Sequence, residues 1–82
     1  MIGRLVEIEW VDSWSSPHSQ WEPVADIEVN LTPCKSVGWV IKEAGEAIII
    51  APNLSGPLED DPDCFGWIGI PKVAILDMVE LS

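Results

Sequence analysis

Catalysis needs a nucleophile, a base and a group to orient them. In this chain the choice of base is narrow, because His18 is the only histidine. Asp12, Ser16 and Ser19 lie near it in sequence. A Ser–His–Asp arrangement can be written from these residues, but triad partners ordinarily converge from different elements. Neighbours within one Ser/Pro-rich loop read instead as a solvated turn carrying a histidine. Cys34 with His18 is a second pair on paper. The alternative of a small hydrolase using His18 therefore stands behind a non-catalytic reading.

Metal chemistry fares no better. Cys34, Cys64 and His18 lack the Cys-x-x-Cys or His-x-x-x-His spacing of a zinc site. The run Glu59-Asp60-Asp61-Pro62-Asp63 clusters carboxylates without the alternating ligands and central glycine of a calcium loop. No metal and no cofactor is expected. The same acids, Glu59, Asp60, Asp61 and Asp63, form an exposed negative patch. Such a patch can imitate a nucleic-acid backbone or steer the chain toward a basic host protein.

Charge bounds the partners. Four basic residues, Arg4, Lys35, Lys42 and Lys72, stand against fourteen Asp and Glu, for a net charge of −10. A surface of that sign repels phosphate backbones and anionic membranes, which excludes generic nucleic-acid and membrane binding. Five tryptophans and 48% hydrophobic residues exclude a disordered acidic tail. No continuous apolar run precedes Glu7, so no signal peptide is read, and no stretch has the roughly 18 apolar residues of a membrane span. The expected setting is cytoplasmic, with Cys34 and Cys64 reduced.

Eighty-two residues make one small domain. Val6, Ile8 and Trp10 alternate with Glu7 and Glu9, so Gly3 to Asp12 reads as a half-buried strand. From Ser13 to Trp21 the composition is that of a loop, whose Trp14 and Trp21 either plug the end of a small barrel or form an aromatic platform. Glu22 to Leu31 is a helical turn with a short strand, or an irregular strand. Thr32 to Lys35 reads as a turn around Pro33. Ser36 to Ala51 is a β-hairpin broken at Ala44-Gly45. Asn53 to Asp63 is an exposed loop, Phe65 to Ile70 a strand kinked by glycine, Pro71 to Ala74 a short turn, and Ile75 to Leu81 a final strand. The sum predicts an all-β fold, with at most one short helical turn: a small bent barrel of about five strands.

The order from Val37 to Leu81 resembles the SH3-like barrels, and within them the Sm-like branch that includes the Hfq ring. The segment Ile70-Pro71-Lys72-Val73-Ala74-Ile75 carries the likeness. The resemblance implies a single 3₁₀ turn between the last two strands and a habit of forming rings. It departs in starting on a strand instead of a helix. It lacks the histidine of the Tyr-Lys-His signature and the Asn-Gly pair used around RNA, so no RNA pocket carries over. The chain also looks like small accessory proteins of phages and prophages.

In a ring, bends and terminal turns of adjacent subunits approach one another. Lys42 or Lys72 would then gather with Trp14, Trp21 or Trp39 into a pocket for a small anionic, nucleotide-like ligand. The last strand is apolar on both faces, so it is either central or covered by another copy, through Ile75, Met78 and Leu81. The function expected is a non-enzymatic binding module acting by occupancy as a homo-oligomer. It would sequester such a ligand or engage a host protein; the alternative is an acidic mimic inhibiting a nucleic-acid-binding or defence protein.

Overall fold

A computed structural model describes residues 4–13, 21–28, 31–56 and 61–81. The fold is all-β, with seven strands among the described residues: β1 (Leu5–Val11), β2 (Pro33–Glu43), β3 (Ala47–Ala51), β4 (Asn53–Ser55), β5 (Asp63–Phe65), β6 (Ile68–Pro71) and β7 (Ile75–Glu80). Two 3₁₀ turns, Val24–Asp26 and Lys72–Ala74, complete it. Five strands form one antiparallel sheet in the order β6-β3-β2-β1-β7, and β4 pairs with β5 in a separate two-stranded sheet.

The connection from β6 to β7 forces the large sheet to curl. These strands occupy its opposite edges, yet only the 3₁₀ turn at Lys72–Ala74 separates them. Four inter-strand gaps in a flat sheet span about 19 Å, whereas the four residue steps from Pro71 to Ile75 reach about 14 Å at full stretch. Gly38 permits part of the bend. A Cβ there would lie 2.8 Å from the carbonyl oxygen of Ala51, so backbone stands where a side chain would be. Irregularities between Val40 and Lys42 and between Glu9 and Trp10 add to the curl, as bulges do.

The alternation read in β1 sets the core. Val6 and Ile8 are fully buried and pack with Ile48 and Ile50 of β3 and Ile70 of β6, while Trp10, Val40, Ile68 and Ile75 lean on this cluster. Trp10 keeps its ring nitrogen satisfied by donating to Ser36 Oγ at 3.0 Å.

Several expectations are corrected. The barrel is not closed: β6 and β7 are the ends of the strand order, joined by the turn and not by a ladder. Thr32–Lys35 is no turn, because β2 begins at Pro33. The proline is tolerated because β3 pairs with β2 only from Trp39 onward, so no neighbour on that side asks Pro33 for a donor. The loop expected over Asn53–Asp63 carries β4 at its start and reaches β5 at its end. The single strand expected over Phe65–Ile70 is cut at Gly66, whose φ of +78° suits glycine and stops the extended run. Trp21 plugs nothing: it is fully exposed. In the Glu22–Leu31 stretch, the helical turn is the 3₁₀ turn at Val24–Asp26.

Candidate functional site

At one end of the sheet the strand order brings distant segments around a cleft of about 710 Å³. Trp10 to Ser13 come from the end of β1 and its exit, Ile68 and Gly69 from β6, Val73 and Ala74 from the 3₁₀ turn, Leu76 from β7, and Leu31 from the approach to β2. The volume lies in the ordinary range for a ligand or an inserted side chain. The turn matters most for its character. Three residues of 3₁₀ geometry leave Val73 with no packed face on its own side, and it is 98% exposed at the cleft. Leu31 and Leu76 are also more than half exposed there.

Among the described residues the lining contains no cation. Its polar members are Asp12 and Ser13, and Asp12 Oδ1 accepts the Ser13 N–H at 2.8 Å. Electrostatically, then, the cleft is apolar with an acidic lip. Three of the four basic residues are already engaged: Arg4 with Glu43 and Glu80 at 3.9 and 3.7 Å, Lys35 with Glu7 at 3.9 Å, and Lys72 with Glu43 at 3.8 Å. These are exposed pairs, each worth about 0–1 kcal/mol. They leave the negative charge elsewhere largely uncompensated.

A second apolar surface lies on the outer face of the sheet. In an antiparallel ladder, residues directly opposite share a face. Leu5 is opposite Trp39, and Glu7 is opposite both Val37 and Val79. The N–H of Leu81 donates to the Leu5 carbonyl at 2.7 Å, which continues that register. Val37 and Val79 therefore flank Glu7 on the outer face, and Leu81 follows Val79 along β7 beside Leu5; all three apolar residues are substantially exposed, and the surface runs out to the β7 edge.

The residues expected to bind a ligand are scattered within one protomer. Trp21 stands in solvent, Trp39 is half-buried on the outer face, and Lys72 is paired with Glu43. Lys42 borders a separate groove of about 260 Å³ with Glu43, Ala44, Ala47 and Ile49. Trp14, His18, Glu59 and Asp60 lie outside the described residues. Asp61 and Asp63 are exposed, Asp63 opening β5. Of the expected interface residues, Ile75 is half-buried against the core, whereas Met78 and Leu81 are exposed. Cys34 and Cys64 are not bonded to each other. Among the described residues no three metal-ligating side chains cluster, and no helix is long and apolar enough to cross a membrane.

Sequence reasoning missed the cleft residues Trp10, Leu31 and Val73. The one available signal was Val73 itself, a β-branched residue inside a tight turn where a polar residue is usual. No family model, curated protein or solved structure matches this chain.

Proposed function

We propose that the chain is a non-enzymatic protein-interaction module that acts by occupancy, self-associating through β7 and presenting the cleft to a partner protein. The observation that carries this reading is the cleft: about 710 Å³ lined by Val73, Leu76 and Leu31, each more than half exposed, with no cation among its described walls. Leaving such a surface in water is unfavourable, and contiguous exposed apolar patches mark interaction sites. An anionic ligand would gain nothing from these walls, but an apolar side chain fits them. The acidic lip at Asp12 and the net charge of −10 specify the surroundings of that side chain: a partner surface bearing Lys or Arg.

Val73→Asp is the cleanest test, because Val73 contacts too little for its loss to disturb the fold. Affinity capture with the wild-type chain is expected to retain a basic protein that 0.5 M salt releases and that Val73→Asp fails to retain, with an unchanged melting temperature. Retention of the same proteins by Val73→Asp overturns the cleft as the binding site.

A further inference from the structure

Among the described residues the sheet has two free edges, and they are not equivalent. At β6, the Lys72 N–H donates to the Glu46 carbonyl at 2.9 Å, in register with the pairing of Ile70 to Ile48. Donors alternate sides along a strand, so Ile68, Ile70 and Lys72 turn toward β3. Only Gly69 and Pro71 then face outward, and proline has no donor. That edge offers one N–H and is a poor template.

The β7 edge is longer and better supplied. The Leu81 N–H points to Leu5 in β1, so the N–H groups of Met78 and Glu80 point away from the sheet. One of them is occupied: Met78 N–H donates to the Oδ1 of its own neighbour, Asp77, at 2.9 Å. A carboxylate on an edge strand is a known means of blunting it.

We infer that β7 pairs antiparallel with β7 of a second copy about a two-fold axis at Met78, and that the Asp77 carboxylate is the latch that must let go first. This rests on the self-association in the proposed function and specifies its geometry. Charge excludes two registers. Centring the axis on Asp77 or Glu80 sets two carboxylates directly opposite, which is destabilising. Centring it on Met78 sets Asp77 against Val79 and Glu80 against Leu76 of the second copy. The two outward-facing Met78 groups then exchange both backbone hydrogen bonds, as the hydrogen-bonded pair of an antiparallel ladder does. Val79 and Leu81 of each copy extend one outer apolar patch into the other. Such an interface is isologous and closes at two subunits, so no fibre results.

Single cysteines in a Cys34→Ser, Cys64→Ser background test the register. Facing Met78 residues are about 5.5 Å apart at Cα, within disulfide reach. Met78→Cys is expected to form an intermolecular disulfide under mild oxidation, while Val79→Cys, two residues out of register with its own copy, does not. Asp77→Ala, which removes the latch from both strands, is expected to tighten dimerisation about fivefold or more by sedimentation equilibrium. Salt provides an independent sign: with −10 on each copy, dimerisation strengthens as salt rises, opposite to capture of a basic partner. A dimer by mass in which Met78→Cys does not cross-link, or Val79→Cys cross-links instead, overturns this register and leaves self-association standing. A monomer at every salt concentration overturns both. Weaker dimerisation in Asp77→Ala overturns the latch.

Discussion

β3 and β7 are both greasy strands, and they meet opposite fates. Ala47 to Ala51 has a hydrogen-bonded neighbour on each side, β2 and β6, and buries Ile48, Ile50 and Ala51. Among the described residues Ile75 to Glu80 has a neighbour on one side only, and every residue of the strand after Ile75 is exposed. The difference lies in sheet position and not in composition. An inner strand receives cover from the curl of the sheet, whereas an edge strand must find it elsewhere. Exposed apolar side chains lie at the cleft, on the outer face and along β7, and also at Trp21, Val24, Ile27, Phe65 and Trp67.

Removing a buried side chain from β3 is the strongest way to exploit this contrast. Ile50 is 1% exposed within the core cluster, and Ile50→Ala is expected to cost about 2–5 kcal/mol. Chemical denaturation of a dilute sample, read as a shift in midpoint at constant slope, measures it. A loss below about 1 kcal/mol would mean that β3 is not the inner strand described.

The next effect concerns the curl that gives β3 its cover. A methyl group at Gly38 meets the Ala51 backbone at 2.8–3.1 Å, where no flexible side chain can move aside. Gly38→Ala is therefore expected to destabilise by about 1–3 kcal/mol, although alanine has the lower unfolded-state entropy and would stabilise an unhindered site. A rise in the melting temperature would contradict the close approach of β2 and β3.

These two positions also show what could be read from the sequence. The β1 alternation, the hairpin around Ala44-Gly45 and the final strand were legible because period-two patterning and turn chemistry are local. The short turn over Pro71 to Ala74 was legible for the same reason, whereas its 3₁₀ form was implied only by the Sm-like resemblance. What was hidden is set by partners far along the chain. Pro33 reads as a turn residue, and only the shortness of β3 makes its strand position harmless. Asn53 to Ser55 has no strand signal, and it becomes one because Asp63 to Phe65 returns beside it, with Asn53 Nδ2 donating to the Phe65 carbonyl at 3.3 Å. The cleft was invisible because Trp10, Leu31 and Val73 meet only after the sheet curls. The candidate ligand residues were chosen by type, and type does not report environment: Trp39 is half-buried beside Leu5, Lys42 borders a small groove with Ile49, and Lys72 is paired with Glu43.

The smallest expected effect is the most discriminating. Val79 is as apolar as its counterparts in β3, but it sits on the outer face opposite Glu7, about half exposed. In dilute solution Val79→Ala is expected to change stability by no more than about 0.5 kcal/mol, as exposed substitutions generally do. A second copy would bury this residue, and binding that favours the folded state raises apparent stability with concentration. The wild-type melting temperature should therefore climb between micromolar and millimolar protein, and that of Val79→Ala should climb less. Identical, concentration-independent melts for the two chains would mean that β7 stays exposed, and the contrast with β3 would then be one of tolerated exposure and not of missing cover.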